Sequence, residues 1–510
     1  MGDKLTSTGQ VIHGPWQGGV RQQSQRVRRQ MQRAWQAAKN DRLTADWLSH
    51  GGDINQELRH QLPILRARAR ELEQNNNQAR RYLKLVETHV VGPNGFLLRV
   101  KGKQRNGKLD SRGNAAVEAG FKRWARRGVC EITGKLSFVD AERVSARTCA
   151  RDGEYLIRMH DFAPTRDNPF GFAIELLDPV RLDHQLNVDL PNGNRVRLGV
   201  ELNGNNRPVA YYLLRGAADI YGYTAQKHER VPAEDLIHGF YAERPEQLRG
   251  FTWMCSSMLG FHMMGAFQDA AVTAARVGAS KMGFFRTPTG TLRDHADDIT
   301  DDGELIDEAE PGHFDRLPHG WDFVDWNPDY PHQNYEPFVR SINRDNAVGL
   351  NVAYHAMTSD LTDVNFSSIR AGTIEEREHW MVIQNWFADG ALVRICNRWL
   401  GNAVLHNALS IRVGQDEAMA RFSEHQWRGR RWPWVDPLKD IEAVTRAIAL
   451  GLKSPQQAAD ELGVDLEDML DQIAAAIEMA KERGLDFGWL GNASEVVAQQ
   501  SEEGNASSKN

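Results

Sequence analysis

The chain has 510 residues, 41% of them hydrophobic and 25% charged, and its 62 Lys and Arg against 68 Asp and Glu leave a formal charge of -6. That length exceeds what one hydrophobic core organises, so two to four structural regions are expected. A net negative charge excludes a protein that grips nucleic acid over its whole surface, because phosphate neutralisation needs clustered cations, and it leaves room only for loose or local contacts.

The N-terminal residues "MGDKLTSTGQ" lack the apolar stretch of a secretory signal. Arg21, Arg26, Arg28, Arg29 and Arg33 then make a basic run that reads as a solvated arm or helix face. From Leu62, the spacing of Leu65, Leu72, Ala79, Leu83 and Val86 predicts a helix that closes at Gly92 and Pro93. The segments "GFLLRVKG", "GEYLIRM", "FAIELLDPVRL", "RVRLGVEL" and "PVAYYLL" are expected strands, parted by turn signals such as Asp178-Pro179 and Asn192-Gly193. Between the first two, "AAVEAGFKRWARRG" reads as helix, so residues 90–240 form a mixed helix and strand region.

A weakly charged helix is expected from Phe251 to Phe285, with Leu259, Met263, Phe267, Ala270, Ala274 and Val277 at helical spacing. The uncharged stretch between Arg249 and Asp269 has the length of a membrane span, yet Leu259 is its only branched aliphatic residue and Ser256, Ser257, His262 and Gln268 interrupt it. It reads as a buried soluble helix. A Gly, Pro and Asp rich excursion follows, and "QNYEPFVRSINRDNAVGLN" returns from it as a second helix. The polar, acidic "SDLTDVNFSSI" then leads into a helix in which Trp380, Ile383, Phe387, Ala391, Ile395 and Trp399 recur every three or four residues. C-terminal helices are expected at Leu438 to Leu450, Pro455 to Leu462 and Leu466 to Arg483, with Ser454 and Asp465 as N-caps and Gly484 as a stop. Beyond Gly491 the polar tail is too poor in apolar residues to order itself.

Several motifs offer chemistry and fall short of it. "GKQRNGKL", Gly102 to Leu109, fits GxxxxGK, but Leu109 stands where a P-loop needs a hydroxyl for magnesium, and "DSRGN" separates it from any helix. A charged hairpin turn is the favoured reading, with a P-loop packaging ATPase using Gly102 to Lys108 as one alternative. The paired helices of "SPQQAADELGVDLEDMLDQIAAA" imitate a helix-turn-helix, the basis for a second alternative, a sequence-specific DNA-binding protein. The second helix carries Asp465, Glu467, Asp468 and Asp471 and no cation before Lys481, which phosphates would repel. "DDITDDGELIDEAE" lacks the bidentate glutamate of a calcium loop, with Ala309 in its place. Cys130, Cys149, Cys255 and Cys396 form no CxxC pair, which argues against a zinc knuckle or a disulfide framework and fits a reducing cytoplasm. Neither GxSxG nor HExxH occurs. No catalytic, cofactor or metal site is expected.

One ordered set of segments carries a family resemblance: "LPILRARARELEQNNNQARRYLKLVETHVVG", "ARDGEYLIRM", "IELLDPVRLD", "GVELNGNNRPVAYYLL", "VPAEDLIHGFYAERPEQLRG" and "DVNFSSIRAG". Together, over about Leu62 to Gly484, they resemble the lambda-type portal proteins of tailed bacteriophages. The resemblance implies an α+β portal fold. Residues 1–60 would be a basic N-terminal arm, 61–250 an α/β wing, 251–285 a first stem helix, 286–330 a clip and 331–350 a second stem helix. Residues 351–436 would hold the tunnel loop and long wing helix, 437–490 a helical crown and 491–510 a disordered tail. It further implies a ring, typically of twelve subunits, at one vertex of the virion, assembled in the host bacterial cytoplasm. Double-stranded DNA would pass non-specifically through its channel; terminase, then head-tail connector proteins, would dock on it, beside capsid and scaffold proteins. No membrane and no cofactor is implied, and packaging force would come from the separate terminase motor.

By that resemblance Ser359, Asp360, Thr362, Asp363 and Asn365 belong to a tunnel loop facing the duplex. Its aspartates repel phosphate and its other polar groups make only short-lived hydrogen bonds, so DNA slides. Asp297, Asp298, Asp301, Asp302 and Glu304 fall in the clip, and Leu259, Met263, Phe267, Ala270 and Ala274 are assigned to stem packing. A ring whose stem helices lie against one another would explain a long helix with so few charges.

Overall fold

A computed structural model describes residues 51–215, 228–279, 283–286, 322–325, 334–362, 366–411, 413–432, 437–464 and 466–484. The chain divides into two compact units, Met1–Glu57 and Leu58–Asn510. Of the first, only residues 51–57 are described, where Asp53 accepts the backbone N–H of Asn55 at 3.1 Å.

Helix α1, Ile54–Asn75, is followed by α2, Asn77–Val86. Asn76 separates them because its side chain accepts the N–H groups of Gln78 and Ala79, capping the second helix. The helix ends in a π turn, Glu87–Val91, closed by Gly92 at φ +77°. Strand β1, Leu97–Val100, and helix α3, Ser111–Trp124, follow as expected. The sequence reading left out α4, Phe138–Asp152, although "SFVD" carries its signal: Ser137 and Asp140 form a reciprocal capping box.

Three antiparallel strands are arranged β3-β2-β9: β2 is Glu154–Asp161, β3 Phe172–Leu177 and β9 Leu236–Phe240. A five-stranded antiparallel meander contains β4 Val188–Asp189, β5 Arg195–Arg197, β6 Val200–Leu202, β7 Pro208–Leu214 and β8 His228–Pro232. The single strand expected in "RVRLGVEL" is corrected to two, β5 and β6. Leu198 and Gly199 turn the chain at φ +52° and +82°, and a Cβ on Gly199 would lie 2.5 Å from the Asp183 carbonyl oxygen.

The expected helix from Phe251 to Phe285 is also corrected. Turns hold residues 253–257, where Thr252 Oγ1 and the Thr252 carbonyl accept the N–H groups of Met254 and Cys255, so helix α5 spans Met258–Ala279. Beyond it Gly283–Arg286 is strand β10, paired antiparallel with β11, Asp322–Asp325. Aromatic residues beside a glycine suit an extended pair better than a helix end. Helix α6, Tyr335–Gly349, matches the expected returning helix and is followed by the short α7, Tyr354–Thr358.

Helix α8, Phe366–Phe387, passes through a π turn at Ala388–Leu392 into α9, Val393–Leu405. Its expected stripe is real: Trp380, Ile383, Phe387, Ala391, Ile395 and Trp399 are all buried. Trp399 meets Phe121 edge-on at 5.1 Å, and Trp124 stacks on Phe172 at 5.5 Å, so α9, α3 and the three-stranded sheet share one aromatic core. Helix α10, Gln415–Phe422, leads to β12, His425–Arg428, which pairs with β1 across more than three hundred residues and was not foreseen. Helices α11 Pro437–Ala449, α12 Pro455–Leu462 and α13 Leu466–Glu482 fall where expected, with Ser454 in a capping box and Gly484 at φ +67°. Asp465 lies outside the described residues.

Among the described residues no helix is long and apolar enough to cross a membrane, and no group of three or more His, Cys, Asp or Glu is placed to hold a metal ion. The four cysteines are unpaired, and all but Cys255 are buried.

Candidate functional site

Three constructions bear on function: the hairpin of α5 and α6, the acidic loop after α7, and a buried ionic centre at the root of α5. The hairpin is antiparallel and tight. Gly260 faces Asn346 so closely that a Cβ on Gly260 would lie 2.1 Å from Asn346 Oδ1, and Ser257 and Ser256 donate to the carbonyls of Asn346 and Gly349 at 3.0 and 2.8 Å. Farther along, Phe267 stacks on Tyr335 at 5.7 Å and meets Phe338 edge-on at 5.2 Å. Of the five residues assigned to stem packing, Phe267 alone makes such a ring contact. Leu259 and Met263 are 71% and 61% exposed, Ala270 is exposed and Ala274 half-buried. The face buried within the chain carries Phe261, Met264 and Ala271, beside the stripe assigned to stem packing. With Val272 and, on α6, Val348, the outward residues leave an apolar surface in water.

In the acidic loop, Ser359 adopts φ +60° and closes α7 by donating its N–H to the His355 carbonyl at 2.9 Å. Asp360 accepts from Thr362 Oγ1 at 2.6 Å, from the Thr362 N–H at 3.0 Å and from Tyr354 at 2.8 Å. These bonds to Thr362 and Tyr354, helped by Arg340, hold the Asp360 carboxyl down at about 2. Arg340 of α6 lies 3.7 Å from Asp360 and donates to Thr362 Oγ1 at 3.0 Å. The sequence reading missed Arg340, which stands twenty residues before Asp360 and is brought to it only by the α6-to-α7 turn. Asp363 and Asn365, and the clip residues Asp297, Asp298, Asp301, Asp302 and Glu304, lie outside the described residues.

At the root of α5, Glu154 is buried among four donors. Arg249 reaches it with Nε at 3.0 Å and Nη2 at 2.6 Å, His238 Nε2 at 2.9 Å, the Gly250 N–H at 3.1 Å, and Arg66 pairs with it from α1. Burial alone pushes Glu154 up; Arg249, Arg66 and His238 outweigh it and hold the carboxyl well below its ordinary range. Burial pushes His238 down, so it serves as a neutral donor. Arg249 also donates to the carbonyls of Leu198 and Leu182 at 2.8 and 3.1 Å. One side chain thereby links both sheets to the segment that enters α5. Gly153 and Gly250 permit this approach, since a Cβ on Gly250 would lie 2.0 Å from the Gly153 carbonyl oxygen.

The Gly102 to Leu109 segment is a hairpin turn. Lys103 and Leu109 form a bridge, Gln104 donates to the Lys108 carbonyl at 2.8 Å and Gly107 to that of Gln104 at 2.9 Å, so these amides serve the turn itself. Asp110, not a glycine loop, caps α3. The acidic stretch near Asp298 lies outside the described residues.

Comparison with known proteins matches residues 40–384, more than half of the chain, to the lambda family of phage portal proteins. This chain belongs to that family. The "Probable portal protein" of Halomonas phage phiHAP-1 is 33% identical over 460 residues, covering 89% of this chain and 88% of that one. Portal protein B of Escherichia phage lambda is 23% identical over 482 residues, covering 86% and 88%. Among solved structures, the neck of a native GTA particle computed with C12 symmetry aligns with 78% of this portal chain and 93% of its own, at 12% identity and a TM-score of 0.42. A chain of the native gene transfer agent virion aligns over 79% and 94%, at 10% identity and the same TM-score.

Proposed function

We propose that the chain is one subunit of a ring, of twelve copies, at a single capsid vertex, and that double-stranded DNA enters and leaves the particle through the ring. The observation that carries this reading is the family match over residues 40–384 together with relatives aligned over nearly the whole chain. The subunit does no chemistry; terminase supplies the force, docks at the clip, and is replaced there by connector proteins. Residues 61–250 are the wing, α5 and α6 the stem, 286–330 the clip, 351–436 the tunnel loop and wing helix, and 437–490 the crown.

Two features support this division. The outward apolar residues Leu259, Met263, Val272 and Val348 on the helix hairpin suit burial against the same hairpin of a neighbouring copy, as ring closure by a heterologous interface requires. The loop beginning at Ser359 places an ionised Asp360 beside Arg340, which also pairs with Glu336 at 2.7 Å, so the loop stays acidic without becoming a phosphate clamp. Such a surface repels a duplex weakly and binds it weakly, and DNA slides past.

The test is a packaging assay. Asp360→Lys with Asp363→Lys leaves ring assembly intact and impairs DNA packaging or retention; unaltered packaging removes the loop from the mechanism. ATP turnover by the purified chain, abolished by Lys108→Ala, would instead restore the nucleotide-dependent alternative.

A further inference from the structure

Among the described residues many buried or half-buried arginines face a carboxylate: Arg66, Arg70, Arg147, Arg151, Arg249, Arg370, Arg398 and Arg421 all do. One neighbourhood gathers arginines that do not. Arg377 from α8 and Arg430 just after β12 meet at the Trp432 ring, the exposed Arg81 of α2 acts on His89 from farther off, and none of the three shares an ion pair with a carboxylate among the described residues. The guanidinium carbons of Arg377 and Arg430 lie 5.8 and 5.9 Å from the Trp432 ring centre.

The platform is built. His89 sits in the π turn, stacks on Trp380 at 5.4 Å and on Trp432 at 5.9 Å, and its Nδ1 accepts the Trp432 indole N–H at 3.0 Å. Arg430 donates to the Thr88 carbonyl at 2.6 Å, and its stem crosses Gly92, where a Cβ would lie 2.9 Å from Arg430 Cδ. Arg81 donates to the Ala356 carbonyl at 3.1 Å. Arg377 Nε is buried without a hydrogen-bond partner. The nearest carboxylates are already engaged: Asp440 pairs with Arg370 at 2.7 Å and Glu376 accepts from Trp380 at 3.1 Å. Burial and then Arg430, Arg377 and Arg81 hold His89 down at about 4.

We propose that Arg377 and Arg430, braced on Trp432, together with Arg81 of α2, form a local binding site for the phosphodiester backbone of double-stranded DNA. Three guanidinium groups without an ion pair of their own, Arg377 feeling Asp440 and Glu376 only at a distance, suit a polyanion better than a single carboxylate, and the planar fork of arginine matches phosphate oxygens. Arg377 stands eleven residues along α8 from Phe366, about 16 Å from the helix start beside the acidic loop. The duplex would thus meet a repelling loop and a holding site on one helix. The source of the duplex rests on the portal reading; the site itself does not.

The experiment uses the full chain and a short, blunt, fluorescein-labelled duplex of arbitrary sequence. Binding is followed by anisotropy while salt rises from about 50 to about 200 mM. Arg377→Ala with Arg430→Ala weakens binding about tenfold or more and lowers the logarithmic salt slope by about two. Unchanged affinity and slope in a variant with native near-ultraviolet dichroism overturns the site, even where rings form and package DNA. A mutation-free measurement runs beside it: the duplex protects Arg81, Arg377 and Arg430 of the wild-type chain from phenylglyoxal. Protection by ring assembly without duplex, or equal protection by poly-glutamate at matched charge, assigns the arginines to protein carboxylates and overturns the proposal.

Discussion

Glu154 and Arg249, ninety-five residues apart, form a fully buried ion pair with Nη2 2.6 Å from Oε1, and Arg249 is the residue from which the chain turns toward α5. A pair of this kind adds little net stability when intact, because both charges have lost their water, but losing one partner strands the other. Glu154→Gln is therefore expected to cost about 3 to 5 kcal/mol by leaving Arg66 and Arg249 buried together. Denaturant unfolding of the purified variant checks this. A change below about 1 kcal/mol would mean that water reaches the centre.

The α5 and α6 hairpin depends on Gly260. Gly260→Ala places a methyl group 2.1 Å from Asn346 Oδ1, and the helices must separate or Asn346 must turn, at about 1 to 3 kcal/mol. The double variant with Asn346→Ala removes the obstacle and recovers part of the loss. Thermal melts of the single and double variants separate these outcomes.

Burial without a cation close enough to compensate pushes Glu142 up to about 8; it accepts only the Phe96 N–H, at 3.3 Å. Because its folded value exceeds its unfolded one, the folded state holds the proton more tightly, and stability falls as pH rises from about 4.5 through 8. Glu142→Gln removes that dependence, and the variant gains most over the wild type at pH 9. Melting temperature measured against pH tests the sign.

His89 has the opposite arrangement. Its folded value, about 4, lies below the ordinary one of 6.5, so its contribution is complete above 6.5 and is lost as pH falls toward 4. His89→Gln flattens the stability profile across that window. An unchanged slope there would show that His89 takes up its proton at the same pH in the folded and unfolded chains.

Much of the fold was legible because its signals are local. The stripe from Trp380 to Trp399, the Ser454 cap and the strands around Leu156 and Leu213 depend on residues within one or two turns of each other. The Phe138–Asp152 helix was legible too, through Ser137 and Asp140, and was passed over. What sequence could not supply is long range. The pairing of Leu97–Val100 with His425–Arg428, the meeting of Arg340 with Asp360 and the union of Arg66, Glu154, His238 and Arg249 each join segments that periodicity treats separately. Which face of α5 is buried within the chain was illegible for a related reason. Leu259 and Met263 have the spacing of a core face, yet Phe261, Met264 and Ala271 turn inward because Gly260 sets how α6 approaches. Both faces of α5 carry hydrophobic residues, and spacing alone cannot tell which of them is buried within the chain.

That second face supports a prediction about assembly. Leu259→Lys with Met263→Lys alters side chains already in water, so the isolated subunit keeps its fold and melting temperature while oligomers are lost. Light scattering and thermal melts on the same sample distinguish an assembly defect from unfolding.

The proposed function requires an assembled ring. Electron microscopy of the purified full-length chain in negative stain, over a range of salt concentrations, is predicted to show rings of many subunits around a central opening wide enough for a duplex. Monomers or small dimers under every condition, or closed particles with no opening, would contradict it.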